Sequence, residues 1–180
     1  MKLYIIDESY IKYLHKYDSR VSLNHDIGKT RKYICVKVSI NQRDYFVPMS
    51  SPDNADFFNG NVRKSFFPVI LRLFKVENTR RRFFGKLLFN NMIPCAKGAY
   101  EIYDLDNESD VRYKNLIIMQ LNIIRKEEIK GTIQKYADTI YTRKLNNFNA
   151  PYILATLDFF LLEKVSKDWE NNHAILESFG

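Results

Sequence analysis

Two stretches of the chain combine residue types suited to holding a phosphate. Lys29, Thr30, Arg31 and Lys32 precede an alternating run that starts at Tyr33, and a second run ends at Met49-Ser50-Ser51-Pro52. Asn41 to Asp44 reads as the turn between them, and an antiparallel hairpin with a short turn returns the end of its second strand to the start of its first. Arg31 and Ser50 or Ser51 are therefore expected to be neighbours. A guanidinium offers a bidentate fork to a phosphate, an ammonium a point charge and a hydroxyl a hydrogen bond. The competing reading is a solvated basic run facing two serines that only open the turn at Pro52.

Other chemistries find little support in the residues. His15, His25 and His173 are scattered, no HxxxH, HExxH or CxxC spacing occurs, and Asp104 to Asp110 lacks the ligand spacing of a calcium loop. There is no Gly-rich phosphate loop and no Gly-x-Ser-x-Gly elbow. No metal and no cofactor are expected. Cys35 and Cys95, each in an apolar context, read as buried, reduced thiols. Tyr33, Tyr45, Phe46, Phe57 and Phe58 lie in or beside the basic segment, and Phe57-Phe58 is the pair expected to be exposed and able to stack on splayed bases. Arg80-Arg81-Arg82 reads as a solvated turn between strands or as an extension of an RNA track.

The elements that must position these residues follow from periodicity. Leu3 to Ile6 is an apolar strand, and Asp7 or Ser9 caps a helix whose Tyr10, Ile11, Leu14 and Tyr17 share a face. Ser19 to Thr30 is polar and reads as a loop. Lys32 to Ile40 alternates with Ile34, Val36, Val38 and Ile40 on one side, and Tyr45 to Pro48 returns beside it. Met49 to Lys64 reads as a long loop, and Pro68 to Val76, Gly85 to Phe89 and Met92 to Pro94 as further strands. Strands joined by turns, with no helix between each pair, imply an antiparallel sheet or a partly open barrel. After Asp110 the pattern is helical: Tyr113 to Ile124, Ile129 to Tyr141, and then Tyr152 to His173 with Leu154, Leu157, Leu161 and Val165 on one stripe. The expected fold class is α+β, a twisted antiparallel sheet with several covering helices. It forms one domain, 1–180, β-rich over about 1–100 and helical over about 108–177.

The 180 residues carry 28 Lys+Arg against 21 Asp+Glu, a net charge of +7. The excess sits in residues 1–100, with 18 basic against 8 acidic residues, while the rest holds 10 against 13. The first part is thus the one expected to meet a polyanion. A hydrophobic share of 46% excludes wholesale disorder. No window approaches the ~18 uncharged apolar residues of a membrane span. Acidic residues follow the first four apolar ones too soon for a secretory leader. A soluble, cytoplasmic protein is expected.

The order of short motifs resembles the ToxN/AbiQ family, the endoribonuclease toxins of type III toxin-antitoxin systems. The resemblance is carried by Leu3-Tyr4-Ile5-Ile6, Tyr10-Ile11-Lys12-Tyr13-Leu14, Asp18 and Val21, Arg31-Lys32-Tyr33-Ile34-Cys35-Val36, and Tyr45-Phe46-Val47-Pro48-Met49-Ser50-Ser51-Pro52. Phe89-Asn90-Asn91-Met92-Ile93-Pro94 and Tyr113-Lys114, leading to Gln120-Leu121 and Ile124, complete it. It spans roughly residues 1 to 145; the segment 152–177 carries no family signal. The resemblance implies a MazF-like sheet with helices and metal-independent RNA cleavage. In that reaction a 2′-hydroxyl attacks the adjacent phosphate and leaves 2′,3′-cyclic phosphate and 5′-hydroxyl ends. It implies Arg31, Ser50 and Ser51 as catalytic residues, and Lys29, Lys32, Tyr33, Arg63, Lys64 and Gln120 as RNA-binding residues. The implied partners are an mRNA substrate and a repeat, pseudoknot-like RNA antitoxin in a closed RNA-protein assembly, with phage defence as the role and no membrane or DNA partner. The alternative is a non-catalytic basic RNA-binding module. Arg31 cannot be the base, because a guanidinium stays protonated. Lys29, Lys32 and His25 are the open choices. Where the family often has Lys after Ser-Ser-Pro, this chain has Asp53 and Asn54, so Arg63 or Lys64 is expected to supply that cation.

Overall fold

The computed structural model describes residues 1–23, 25–26, 29–30, 33–78 and 80–178, with 25–26, 29–30 and 174–178 described by their backbone alone. The chain opens with strand β1 (Leu3–Ile6) and helix α1 (Glu8–Tyr17), followed by the two-residue strands β2 (His25–Asp26) and β3 (Lys29–Thr30). Asp7 caps α1 by accepting from the Ser9 and Tyr10 N–H groups, as expected for a residue with a short side-chain acceptor at this position. Strands β4 (Ile34–Ile40) and β5 (Arg43–Ser50) then form the predicted hairpin. Its two-residue turn, Asn41-Gln42, has positive φ at both positions, the conformation whose twist matches that of the flanking strands.

The segment expected to be one long loop is built. After Pro52 come a single 3₁₀ turn at Asn54–Asp56 and a small hairpin of β6 (Phe57–Phe58) and β7 (Asn61–Val62), closed by Asn59-Gly60. Strands β8 (Ile70–Glu77) and β9 (Arg80–Leu88) form a long ribbon, so Arg80, Arg81 and Arg82 stand on a strand and not in the turn. Another 3₁₀ turn, Phe89–Asn91, leads to β10 (Ile93–Pro94), and β11 (Tyr100–Ile102), which the sequence pattern did not suggest, completes the sheet. Pairing is antiparallel throughout, in the order β11-β1-β4-β5-β9-β8, with β10 also on β5. The sheet is open: β11 and β8 are its two ends.

The helices are α2 (Val111–Ile129), α3 (Thr132–Leu145), α4 (Pro151–Ala155) and α5 (Phe159–Ser178). Gly131, at φ +70, turns the chain between α2 and α3. The third expected helix is therefore two: a break at Thr156 to Asp158 separates α4 from α5. The break also rotates the buried stripe, for Leu154 is 80% exposed while Phe159, Leu162, Val165 and Trp169 are buried. The cause is Asp18, at the end of α1. Its carboxylate takes two bonds from the Arg20 guanidinium and one from the Asp158 N–H, while Arg20 donates to the Leu154 and Thr156 carbonyls. Those carbonyls are thus met from outside, where a continuous helix would have bonded them internally.

One core cluster runs from Leu3 to Trp169 through sheet and helices. Helix α5 is tied to β5 by Glu163, which pairs with Arg43 and accepts from the Tyr45 and Tyr141 hydroxyls. Trp169 packs against Tyr10 and Tyr13 of α1. Both cysteines are free; Cys35 is fully buried and Cys95 half-buried, and burial pushes both thiols up. No helix among the described residues is long and apolar enough to cross a membrane.

Asp18 also sets an acid limit. Burial alone would raise its carboxyl, but the bonds from Arg20 and the Asp158 N–H outweigh that and hold it below its ordinary 3.8. A lowered folded-state value gives stability that is present above the unfolded value and lost as pH falls through the folded one. The thermal midpoint should therefore drop below about pH 4. Asp18→Asn should lower the midpoint at neutral pH and flatten that drop, as followed by circular dichroism.

Candidate active site

The hairpin that was expected to bring Arg31 to the serines is present and in register from Ile40↔Arg43 to Cys35↔Pro48. Arg31 and Lys32 lie outside the described residues, and Lys29 is described only as backbone paired with Asp26 in the small β2–β3 pair. Tyr33, read as an RNA contact, is buried: its side chain is 8% exposed, its carbonyl accepts from the Ile6 N–H, and burial pushes its hydroxyl far up. It supports the start of β4 and offers no face to solvent.

Ser50 closes β5 and sits directly opposite Lys86 of β9, which in turn faces Arg72 of β8. Directly opposed residues of antiparallel strands project to the same face. The three side chains therefore form a row, Ser50, Lys86, Arg72, across three strands. Ser51, just beyond, is exposed, and the Ser50 hydroxyl makes a long bond of 3.3 Å to the Ser51 carbonyl. Two cations opposed on a ribbon repel, and here Asp56 is set between them. Its carboxylate, fully buried, accepts from Arg72 Nε at 2.9 Å and Lys86 Nζ at 2.7 Å. Lys86 also binds Asp53 at 2.6 Å, a carboxylate that is 55% exposed and held below its usual range by that ammonium. Asp53 and Asp56 further cap the 3₁₀ turn between them, each accepting from the other end's backbone.

This cluster explains the departure at position 53. The aspartate after Pro52 is not a missing cation, for it anchors the segment that leaves the serines onto Lys86. Neither Lys86, Arg72 nor Asp56 was singled out in the sequence. The signal that would have found the two cations is a lone charge inside an otherwise apolar run, Val69-Ile70-Leu71-Arg72-Leu73-Phe74 and Phe83-Phe84-Gly85-Lys86-Leu87-Leu88, which demands a buried partner.

Gln120, from α2, is also buried. Its Nε2 donates to the Phe84 carbonyl at 2.7 Å. Phe84 is the extra residue of a bulge, since Leu73 faces Gly85 and Phe74 faces Phe83. Gly85 has φ +138, and a Cβ there would lie 2.7 Å from both Gln120 Nε2 and the Ser50 carbonyl oxygen. Gln120 thus braces the backbone behind Ser50. Its Oε1 is the buried side-chain polar atom left without a partner among the described residues.

Arg63 and Lys64 are exposed on the rim of a cleft of about 890 Å³ between the β6–β7 hairpin and the β8–β9 ribbon. Phe58 and Arg81 also line it, with Arg72 reaching it from the row described above. The exposed Phe57-Phe58 pair is as expected, at 39% and 62%. Among the described residues no three His, Cys, Asp or Glu side chains gather into a metal-binding group.

Solved structures share this fold. One, of a bacterial antiviral system regulated by a processed non-coding RNA, superposes with TM-score 0.77 at 26% identity, covering 93% of this chain and 98% of the other. Another, of a bacterial type III toxin-antitoxin system in which a non-coding RNA pseudoknot selectively inhibits the toxin, gives 0.73 at 26% identity over 94% and 97%. The chain belongs to the ToxN toxin family of type III toxin-antitoxin systems, whose family model matches residues 2–167. Its relatives include the endoribonuclease ToxN of Bacillus thuringiensis subsp. kurstaki, 33% identical over 74% of this chain and 66% of that protein. The endoribonuclease AbiQ of Lactococcus lactis subsp. lactis is 26% identical over 91% and 86%.

The buried cluster has a measurable weight. Removing one partner of a buried ion pair costs about 3–5 kcal/mol, so Asp56→Ala should lower the unfolding free energy in urea by that order. The same change in a chain already carrying Lys86→Met and Arg72→Met should cost markedly less.

Proposed function

We propose that the protein is an endoribonuclease toxin, cleaving RNA at the Ser50–Ser51 end of β5 without a metal, and held in check by a folded repeat RNA bound over the same basic surface. The observation that carries this reading is the row Ser50, Lys86, Arg72, whose far member, Arg72, reaches the cleft lined by Arg63, Lys64 and Arg81. Family membership and endoribonuclease relatives support it. The 2′-hydroxyl of the substrate attacks the adjacent phosphate and forms the 2′,3′-cyclic phosphate, and the 5′-oxygen leaves with a proton. Such a reaction needs a base at the 2′-oxygen and positive charge on the phosphorane. Arg31 supplies charge and Ser51, with Ser50, orients the phosphate by hydrogen bonding. Lys29 and Lys32 add counter-charge, and Arg63 and Lys64 guide the strand into the site. Tyr33 and Gln120 take supporting places behind it.

The inhibitory partner is read as a pseudoknot-like RNA in a closed assembly with the toxin, and the role as phage defence in the cytoplasm. The single core cluster, continuous from β1 to α5, supports one domain over 1–180.

Purified protein incubated with mRNA in EDTA should yield 2′,3′-cyclic phosphate and 5′-hydroxyl ends. Ser51→Ala and Arg31→Ala should each slow cleavage by about 100-fold or more, with unchanged circular dichroism and thermal midpoint. Intact RNA with the unsubstituted protein would favour a non-catalytic RNA-binding module.

A further inference from the structure

The cleft that Arg72 reaches is more than a charged surface. Its hairpin wall is fixed at three places: Asp56 of the buried cluster, the Phe57 ring set edge-on to Phe83 at 5.9 Å, and Arg81 Nη1 donating to the Val62 carbonyl. On that wall the Arg63 guanidinium lies 5.2 Å from the centre of the Phe58 ring, yet the ring is 62% exposed. The ring is thus backed by a cation while most of its surface stays open to solvent. An aromatic face presented this way is a stacking platform, because every nucleobase has a π-face to place on it.

Arg72 is the second observation. Its side chain is only 6% exposed, and its orientation is set by Nε on Asp56 and Nη1 on the Lys64 carbonyl at 2.6 Å. Nη2 makes no hydrogen bond with any described residue, and Arg72 lines the cleft. A guanidinium fixed at two nitrogens with the third unengaged is a preorganised donor for an acceptor edge. The exposed cations Lys64 and Arg81 on the rim suit a phosphate.

We infer that this cleft is a binding site for one unpaired nucleotide of RNA, its base stacked on Phe58, its acceptor edge on Arg72 Nη2 and its phosphate between Lys64 and Arg81. The inference rests on the reading of the protein as an RNA-cleaving toxin and adds a subsite apart from the serine pair. A strand held there enters the scissile site from a fixed direction. The nucleotide has two sources, a single-stranded substrate or an unpaired nucleotide of the folded inhibitory RNA.

The test measures affinity with uncleavable 2′-O-methyl RNA, as a short mixed-sequence single strand and as a pseudoknot with unpaired linker nucleotides. Phe58→Ala should weaken single-strand binding by about 10-fold or more, and Arg81→Gln should reduce the salt slope by about one phosphate contact. The indole emission of Phe58→Trp, read against Trp169 in the unsubstituted protein, should be quenched by RNA. Loss for the single strand alone assigns the subsite to substrate; loss for both RNAs assigns it to a nucleotide that substrate and inhibitor present alike. Unchanged affinity of Phe58→Ala for both RNAs, with Ser51→Ala still inactive, overturns the subsite and leaves the nuclease reading standing. Failure of the unsubstituted protein to bind either RNA overturns both.

Discussion

Arg72 and Lys86 face each other across the β8–β9 ribbon, an arrangement that like charges make costly unless a counter-charge is placed between them. Asp56 is that counter-charge, and it can be there only if the segment after Pro52 folds back over the ribbon. The single ion cluster therefore fixes several things together. It seats the 3₁₀ turn and hairpin of residues 54–62, it fixes the Arg72 side chain that lines the cleft, and it sets a neutralised lysine opposite Ser50. Two positive and two negative side chains meet in it, so the cluster as a whole carries no net charge, although its buried members alone, Arg72, Lys86 and Asp56, leave one positive charge for Asp53 to balance. The exposed member, Asp53, is the one set next to the serines.

The backbone behind the site is shaped by a second constraint. The bulge at Phe84 lifts a carbonyl out of the ladder, and a buried carbonyl without a donor is unfavourable by about 1–3 kcal/mol. Gln120 of α2 supplies the donor, reaching through the space that Gly85 leaves empty. Helix and sheet are thus joined at the point where β5 ends, so the position of Ser50 depends on α2 as well as on its own hairpin. Ser50 thus has rigid elements on both sides of it, as the positioning of a reacting group requires.

Much of this was legible in the residues. Alternation at Ile34, Val36, Val38 and Ile40 announced β4, and the short turn at Asn41 announced the hairpin with Ser50 at its far end. Asn59-Gly60 between two aromatics and Asn61-Val62 is a strong hairpin signal, but the short flanks hid it inside what read as a loop. The Arg80–Arg82 run read as a turn because charge was weighed above pairing, whereas the ribbon extends through it to Asn78. Tyr33 looked like a base-stacking residue by neighbourhood, yet it opens β4 on the buried side. Leu154 and Leu161 fit a helical stripe with Leu157, and what broke that stripe was Asp18, about 140 residues earlier in the chain. Long-range ion pairs of this kind leave no local pattern: Arg72 and Lys86, as lone charges in apolar runs, ask for a buried partner, but nothing near them in the chain says that it is Asp56.

The β8–β9 ribbon has a further consequence. Strand β5 pairs with β9 only at Met49↔Leu87 and Ser50↔Lys86, so residues 80–85 of β9 have β8 on one edge and no strand of the main sheet on the other among the described residues. An unpaired edge is a template on which another chain can add a strand, and proteins guard such edges with charge. Arg80, Arg81 and Arg82 stand there, all exposed. Charge at these positions disfavours two copies of this chain zipping together along their edges, so neutralising it would cost solubility before it cost fold.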